Sequence, residues 1–187
     1  FDFILLFCIL VLGVVSNLSM YSTDGGEFLY HSKSHLVRFI VFFMMMIILS
    51  FLSLRFWHTS AYLFYIVVLG FLVWASMYGV TASGSQRWIN LYFINLQPSE
   101  LMKIAIIICF ARYYHRTQIN NIGSFKNIII SIMILIMPIL LVLSQPDLGT
   151  SILIGISGVI VLWLAGLNIK YFVYSSFALL ISLPFVI

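Results

Sequence analysis

Two polar stretches interrupt an otherwise apolar sequence, and they contain the side chains best suited to chemistry. One runs from Ser85 to Lys103 and the other from Gln145 to Thr150. Together they contribute four candidate site residues: Arg87, Glu100, Lys103 and Asp147. Arginine and lysine bind phosphate oxygens strongly through charge-assisted hydrogen bonds. The residue types therefore favour recognition of an anionic group.

Both stretches contain a Gln-Pro pair, which is typical of a helix start. Proline is tolerated at the first helical position, where no backbone N–H is needed. With Gln97 as the N-cap and Pro98 first, Glu100 is the third helical residue, and its side chain can reach back to the N–H of the cap. Glu100 and Lys103 then share one helix face. The pair at 145–146 repeats the pattern and predicts a second helix start.

The composition indicates an integral membrane protein. The chain is 63% hydrophobic and only 7% charged, far from the values of soluble domains. Its net charge of +4 comes from cations scattered singly between apolar runs, which form no patch for nucleic acid. Cys8 and Cys109 lie within apolar runs, so we predict that both are packing residues.

Apolar runs of about 17 to 25 residues, the length that crosses a bilayer, divide the sequence. They predict an all-α fold, a polytopic transmembrane helix bundle that forms a single integral membrane domain over residues 1–187. Seven spans are predicted: Phe3 to Tyr21, Val37 to Leu54, Ala61 to Tyr78, Pro98 to Tyr113, Asn127 to Leu143, Ser151 to Leu167 and Tyr171 to Ile187. Because the first residue is not methionine and the last lies inside an apolar run, we expect a fragment truncated at both ends.

The distribution of cations predicts a cytoplasmic N-terminus. In that orientation the inner loops carry most of them: Arg55, Arg112, Arg116, Lys126 and Lys170. The outer loops carry Lys33 and Arg87, which agrees with the positive-inside rule. Both Gln-Pro helix starts then lie at the outer face beside Arg87. Helix N-termini expose backbone N–H groups and partial positive charge, so the sequence predicts a receptor for phosphate or pyrophosphate there.

Structural explanations remain open for each part of this site. Proline and aspartate at a helix start are ordinary capping residues, and Glu100 with Lys103 can be a purely structural ion pair. Aromatic residues of the first stretch, Trp88, Tyr92 and Phe93, are typical interfacial anchors. No Walker loop, dinucleotide fingerprint or HExxH pattern is present, and no metal ligands are predicted.

Three motifs resemble those of a known family. They are Gly84-Ser85-Gln86-Arg87-Trp88-Ile89, Gln97-Pro98-Ser99-Glu100-Leu101-Met102-Lys103 and Gln145-Pro146-Asp147-Leu148-Gly149-Thr150. In this order and membrane setting they resemble the SEDS family (shape, elongation, division and sporulation), and more closely its rod-shape members than its division members. The resemblance runs along essentially the whole chain but covers only about the first half of such a protein.

The resemblance implies a ten-helix, inner-membrane peptidoglycan glycosyltransferase. Such enzymes polymerise lipid II, an undecaprenyl-diphosphate-linked disaccharide-pentapeptide, together with a class B penicillin-binding protein that crosslinks the strands. The four candidate residues match polar positions of the family's central cavity, which implies a binding or supporting role. Glu100 would orient Lys103, while Arg87 and Lys103 would neutralise the diphosphate. The family resemblance also leaves a divalent cation to be considered as a cofactor.

The catalytic residue is expected elsewhere. The family's essential aspartate lies in a large outer loop after the seventh span, so we expect it beyond Ile187, and Asp147 is not that residue. Two other functions stay open at this stage: a flippase or transporter of lipid-linked precursors, and a non-catalytic membrane scaffold. Against transport, the polar groups crowd one face of the membrane without a clear polar path to the other.

Overall fold

The computed structural model describes residues 2–82, 85–90, 95–118 and 121–172. Within them the chain is mainly helical and groups into two compact units, Phe1–Ser53 and Leu54–Ile187. The all-α transmembrane fold class is confirmed. Four of the described helices are long and apolar enough to cross a membrane: α1 (Phe3–Thr23), α2 (Tyr30–Ser50), α3 (Leu54–Tyr78) and α5 (Phe125–Ser144). That residues 1–187 form one domain stays a prediction.

The first unit is a pair of helices, α1 and α2, joined by a tight turn. Gly25 and Gly26 both have positive φ, at 79° and 84°, a conformation that glycine adopts without steric cost. Asp24 then accepts hydrogen bonds from the hydroxyl and the backbone N–H of Ser32, the latter at 2.8 Å. These bonds hold the pKa of Asp24 below its ordinary value and supply a cap that Leu29, the N-cap of α2, cannot provide.

The second unit is built around α4 (Pro98–His115), which packs against α3, α5 and α6 (Leu148–Leu164). Its buried face includes Met102, Ile106 and Phe110, each fully inaccessible to solvent. Close approach to α6 is possible because Gly158 has no side chain: an added Cβ would collide with Leu135 and crowd Phe110. A small residue at this position of α6 thus permits close helix packing.

The central position of α4 explains how a charged helix is accommodated. It has 18 residues with Glu100 in its first turn and Arg112 and His115 in its last, so it is less apolar than the four helices named above. Because its middle packs against α3, α5 and α6 on one face and exposes only apolar side chains such as Ile104 and Ile107 on the other, only its two ends must find water or polar partners.

Helix α5 contains a proline in its interior, and α3 compensates for it. Pro138 has no N–H, so it leaves the carbonyl of Ile134 without its usual intrahelical partner. The hydroxyl of Tyr65 donates to that carbonyl at 2.8 Å. Tyr65 is 8% exposed, so this bond ties two helices together in the core.

The segment before α4 forms a small antiparallel sheet where the sequence predicted only an outer loop. Its strands are β1 (Val80–Ala82), β2 (Ser85–Asn90) and β3 (Asn95–Leu96), in the order β1-β2-β3. Ile89 pairs with Leu96 and Asn90 with Asn95. Pairing of this kind satisfies backbone groups where water is scarce, and it holds Arg87 in the middle of a strand.

Several predicted span limits differ from the observed helices. Helix α2 begins seven residues before Val37 and ends at Ser50, so the predicted end at Leu54 is wrong, and α3 begins seven residues before Ala61. Apolar runs mark the part of a helix that suits lipid, whereas helical hydrogen bonding continues into polar residues. Of the seventh predicted span, residues 171–172 are helical, in a segment that begins at residue 169, and 173–187 lie outside the described residues.

Candidate functional site

The starts of α4 and α6 meet in the second unit, as the two Gln-Pro pairs predicted. Gln97, the N-cap of α4, donates from Nε2 to the Oδ2 atom of Asp147 at 3.3 Å. Asp147 is the N-cap of α6, and its Oδ1 atom accepts from the backbone N–H of Thr150 at 3.2 Å. Asp147 is only 8% exposed. A single carboxylate therefore links the two helix starts.

Arg87 lies beside them and binds the turn that leads into α6. Its Nε atom donates to the carbonyl of Gln145 at 3.2 Å, and Nη2 donates to the carbonyl of Pro146 at 2.8 Å. Nη1 lies 3.4 Å from Oδ2 of Asp147. A guanidinium has five N–H donors, so these three contacts occupy much of its capacity. We name Arg87, Gln97, Gln145 and Asp147 the polar layer.

Gln145 is a member of the polar layer that the sequence did not single out as a site residue. It is the C-cap of α5 and 5% exposed, and its Nε2 atom donates to the carbonyl of Leu72 in α3 at 3.1 Å. The polar layer thus connects α3, β2, α4, α5 and α6. The repetition of Gln-Pro at 97–98 and 145–146 was the available signal, because it placed an amide at each helix start.

Asp147 changes the expectation for the start of α6. The sequence predicted two open helix N-termini that would attract an anion, but the carboxylate of Asp147 already caps α6. At α4 the side chain of the N-cap makes no capping hydrogen bond. The start of α4 therefore has no side-chain cap on its backbone N–H groups, which favours an external anion, and the carboxylate of its first turn, Glu100, is paired with Lys103.

Glu100 and Lys103 form the predicted ion pair, with Oε2 and Nζ 2.9 Å apart. The side chain of Glu100 turns to Lys103, and within the described residues no hydrogen bond joins it to the backbone N–H of Gln97, where the sequence predicted one. The pair is also less buried than expected: the side chains are 56% and 25% exposed. Exposed pairs contribute about 0–1 kcal/mol to stability, so a purely structural role is weakly supported.

The polar layer and the Glu100–Lys103 pair lie close in sequence but do not bond to each other within the described residues. In residues 85–90, 95–118 and 121–172, no hydrogen bond or ion pair joins Lys103 to the polar layer. The four candidate residues therefore divide into two ion pairs, Arg87 with Asp147 and Glu100 with Lys103, whose cations are similarly exposed at 29% and 25%. The ammonium of Lys103 has three donors, of which Glu100 takes one.

An apolar groove lies on the same side of the unit as β2. It has a volume of about 610 Å³ and is lined by α3 and the end of β2, at Val67, Gly70, Phe71, Trp74, Ile89 and Asn90. Ile89 and Asn90 follow Arg87 along the strand. Of the aromatic residues predicted as interfacial anchors, Trp88 is half-buried, whereas Tyr92 and Phe93 lie outside the described residues.

Within the described ranges, no group of three or more His, Cys, Asp or Glu side chains could hold a metal ion. Cys109 is buried in α4, while Cys8 of α1 is exposed.

The chain is similar in sequence to proteins of one family. Residues 1–187 match the family described as cell cycle protein, named for FtsW, RodA and SpoVE. Peptidoglycan glycosyltransferase MrdB of Escherichia coli K12 is 34% identical over 164 residues, which are 88% of this chain and 44% of that protein. The chain thus spans about half the length of the curated relatives it matches.

Two solved structures show the same fold. Rod shape determining protein RodA of Thermus thermophilus has a TM-score of 0.80 at 22% identity, over 97% of this chain and 59% of that one. The second is a chain of a peptidoglycan synthase complex that is described as coordinating polymerization and crosslinking. It has a TM-score of 0.84 at 22% identity, and the match covers 98% of this chain and 53% of that chain.

Proposed function

We propose, because this chain belongs to the family of FtsW, RodA and SpoVE cell cycle proteins, that it is part of a membrane-embedded peptidoglycan glycosyltransferase. The observation that carries the proposal is the joined start of α4 and α6, where Gln97 and Arg87 both contact Asp147. Such a rigid polar layer at the end of an apolar bundle suits a substrate with an anionic head and an apolar tail.

The substrate class is an isoprenoid-diphosphate-linked saccharide, which we identify with lipid II. Lys103 and the start of α4 would contact the diphosphate, because they combine a cation with an uncapped helix N-terminus. The apolar groove along α3 would take part of the isoprenoid chain, since its lining is mainly hydrophobic. Glu100 orients the ammonium through their 2.9 Å ion pair.

In the proposed reaction the diphosphate leaves the anomeric carbon of one sugar as a hydroxyl of another attacks it. Negative charge grows on the leaving group, and a nearby cation stabilises it more in the transition state than in the ground state. The attacking hydroxyl must lose a proton to a base. Asp147 is not assigned to that task, because its carboxylate is already engaged by Arg87, Gln97 and Thr150.

The biological setting is proposed on the same basis. The Ser-Gln-Arg-Trp and Gln-Pro-Asp-Leu-Gly-Thr-Ser runs favour cell elongation and rod-shape maintenance over division. The partner would be a class B penicillin-binding protein, in keeping with the described function of the similar synthase complex. The protein would be a multi-pass protein of the bacterial inner membrane with a cytoplasmic N-terminus.

The test is Lys103→Met in the full-length protein, which removes the ammonium and keeps the apolar stem. We expect polymerisation of lipid II to fall by roughly 30-fold to nearly 1,000-fold, equivalent to about 2 to 4 kcal/mol of transition-state stabilisation. The melting temperature should change little, because Glu100 is more than half exposed. Lys126→Met, at an exposed lysine of α5, is the matched control and should leave polymerisation unchanged.

A double-mutant cycle with Glu100→Gln separates binding from structure. If Lys103→Met lowers stability and expression while the double variant polymerises normally, the pair is structural and the diphosphate role is wrong. If neither the wild type nor any variant polymerises lipid II with its partner present, the glycosyltransferase proposal itself fails, and a scaffold or transporter becomes the better hypothesis.

A further inference from the structure

The end of α4 opposite the candidate site carries a second concentration of charge. Arg112 and His115 lie in the last turn of α4, and Arg116 is its C-cap. These residues are three and four apart and share one helix face. His58, near the start of α3, joins them, with its ring edge-on to that of His115 and the centroids 5.2 Å apart. We name these four residues the basic cluster.

Arg112 is held in a defined position within this cluster. Its Nη1 atom donates to the backbone carbonyl of Thr59. Its guanidinium carbon lies 4.4 Å from the ring centroid of Tyr62, a cation–π arrangement. Because both contacts come from α3, the ends of α3 and α4 form one fixed surface, and Arg112 need not be ordered when a ligand arrives.

Within the part of the chain that the structure describes, no carboxylate forms an ion pair with the basic cluster. The side-chain ion pairs within the described ranges are Arg87–Asp147 and Lys103–Glu100, both near the start of α4. The charged groups that act on His58 are those of His115, Arg112 and Arg116, all of them basic. Like charges in such proximity destabilise one another unless an anion lies among them.

Two nitrogen atoms of the cluster also lack hydrogen-bond partners within the described residues. Nε2 of His58 and Nε of Arg112 are buried and have no hydrogen-bond partner in the part of the chain that the structure describes. Buried polar groups are normally satisfied, and each exception calls for an explanation. Favourable interaction with the helix dipole accounts for cations at the end of α4. It does not account for the position of His58 on α3 or for the two buried nitrogen atoms without a hydrogen-bond partner.

We propose that the basic cluster binds a net-negative phosphate group, the chemistry shared by anionic phospholipid headgroups and soluble phosphate. A phosphoryl oxygen placed against Arg112 and Arg116 supplies both the missing negative charge and hydrogen-bond acceptors. Basic pockets between transmembrane helices are known to bind lipid headgroups in this way. Arg112 lies nine residues after Lys103 in α4, a rise of about 13.5 Å, so the basic cluster is a separate site and does not depend on the proposed function.

The test is native mass spectrometry of the full-length protein in neutral detergent, titrated with phosphatidylglycerol and, separately, with phosphatidylcholine. Each arginine near a membrane surface contributes enough to change anionic lipid affinity about fivefold. Arg116→Gln should therefore weaken phosphatidylglycerol binding about fivefold, and Arg112→Gln with Arg116→Gln about 25-fold. Lys126→Gln, an exposed cation of α5, is the control and should change the affinity less than twofold.

Folding and ligand source are checked in the same experiment. Arg116 is exposed, so its substitution should leave the melting temperature unchanged even if Arg112→Gln lowers it. Displacement of the lipid by millimolar phosphate, but not by chloride of equal ionic strength, would assign the cluster to soluble phosphate, and retention would assign it to a headgroup. Equal losses in Arg116→Gln and Lys126→Gln, or equal binding of both lipids, would overturn the proposal.

Discussion

Arg87 illustrates how a cation can serve a site mainly by holding its framework. Its three partners within the described residues, Gln145, Pro146 and Asp147, are consecutive residues of the turn between α5 and α6. Planar donors at fixed angles suit this arrangement, because two carbonyls and a carboxylate must be met from one side. The residue therefore positions the start of α6, and its remaining donors are available to a ligand.

The variant Arg87→Lys tests this positioning role. A lysine ammonium lacks the planar fork, so we expect one or more of the three contacts to be lost. Loss of a hydrogen bond to a charged group costs about 1.5–3 kcal/mol, and the melting temperature in detergent should fall. The matched control is Arg38→Lys in α2, where Nε bonds only the carbonyl of Ser34 on an exposed surface, and stability should hardly change.

A different result would favour direct binding of the substrate. If Arg87→Lys retains the wild-type melting temperature and only weakens lipid II binding, the guanidinium is a ligand group and its contacts with the turn are incidental.

At this scale the sequence predicted which residues approach one another better than how they bond. Pairing of Glu100 with Lys103 follows from local helix geometry, since they are three residues apart. The bond from Gln145 to the carbonyl of Leu72 spans 73 residues, and nothing local to either residue reveals it. Capping of α6 by Asp147 was a plausible local reading, but its additional bonds to Arg87 and Gln97 depend on tertiary packing.

Among the elements, α5 and α3 depend on each other through Pro138 and Tyr65. Tyr65→Phe removes the donor that satisfies the carbonyl of Ile134. We expect a loss of about 0.5–2 kcal/mol in unfolding free energy, the range for interhelical hydrogen bonds in membranes and for an unsatisfied carbonyl. Tyr78→Phe, at an exposed tyrosine of the same helix, is the control and should be neutral. Thermal unfolding in detergent would measure both.

A double-mutant cycle of Tyr65→Phe with Pro138→Ala tests whether loss of this hydrogen bond causes the expected destabilisation. Alanine restores the backbone N–H that proline lacks, so the carbonyl of Ile134 regains an intrahelical partner. The effect of Tyr65→Phe should then be smaller in the Pro138→Ala background than in the wild type. Equal effects in both backgrounds would show that Tyr65 stabilises the core by packing alone.

The helices and strands differ in how well sequence patterns predict them. Apolar runs predicted each of the six described helices, because bilayer length and hydropathy are properties of single segments. They did not show that α4 lies at the centre of its unit, which becomes visible only from its buried face. The sheet was missed because its strands have two to six residues, and such short strands are defined by partners rather than by their own propensity.

For the molecule as a whole, the arrangement separates two kinds of chemistry along α4. Its start holds Glu100, Lys103 and the contact of Gln97 with Asp147, while its end holds the basic cluster. The middle of the helix, from Met102 to Phe110, is packed among α3, α5 and α6. Whole-molecule function is therefore expected to depend on α4 crossing the membrane once, so that its two ends meet different leaflets.

Accessibility of single cysteines tests that crossing. In a chain with Cys8→Ser and Cys109→Ala, we expect Gln86→Cys to react with a membrane-impermeant maleimide in intact cells, and Gln118→Cys to react only after permeabilisation. Both glutamines are exposed and they flank α4, so a single crossing must place them on opposite sides. The cation distribution predicts that position 86 is outside.

Ser144→Cys, at the exposed end of α5 beside the start of α6, is the internal control. It must react together with Gln86→Cys, because Arg87 reaches the carbonyl of Gln145. Labelling of positions 86 and 118 from one side would mean that α4 does not cross, and it would contradict the predicted orientation, in which Arg112 and Arg116 lie on the inner side.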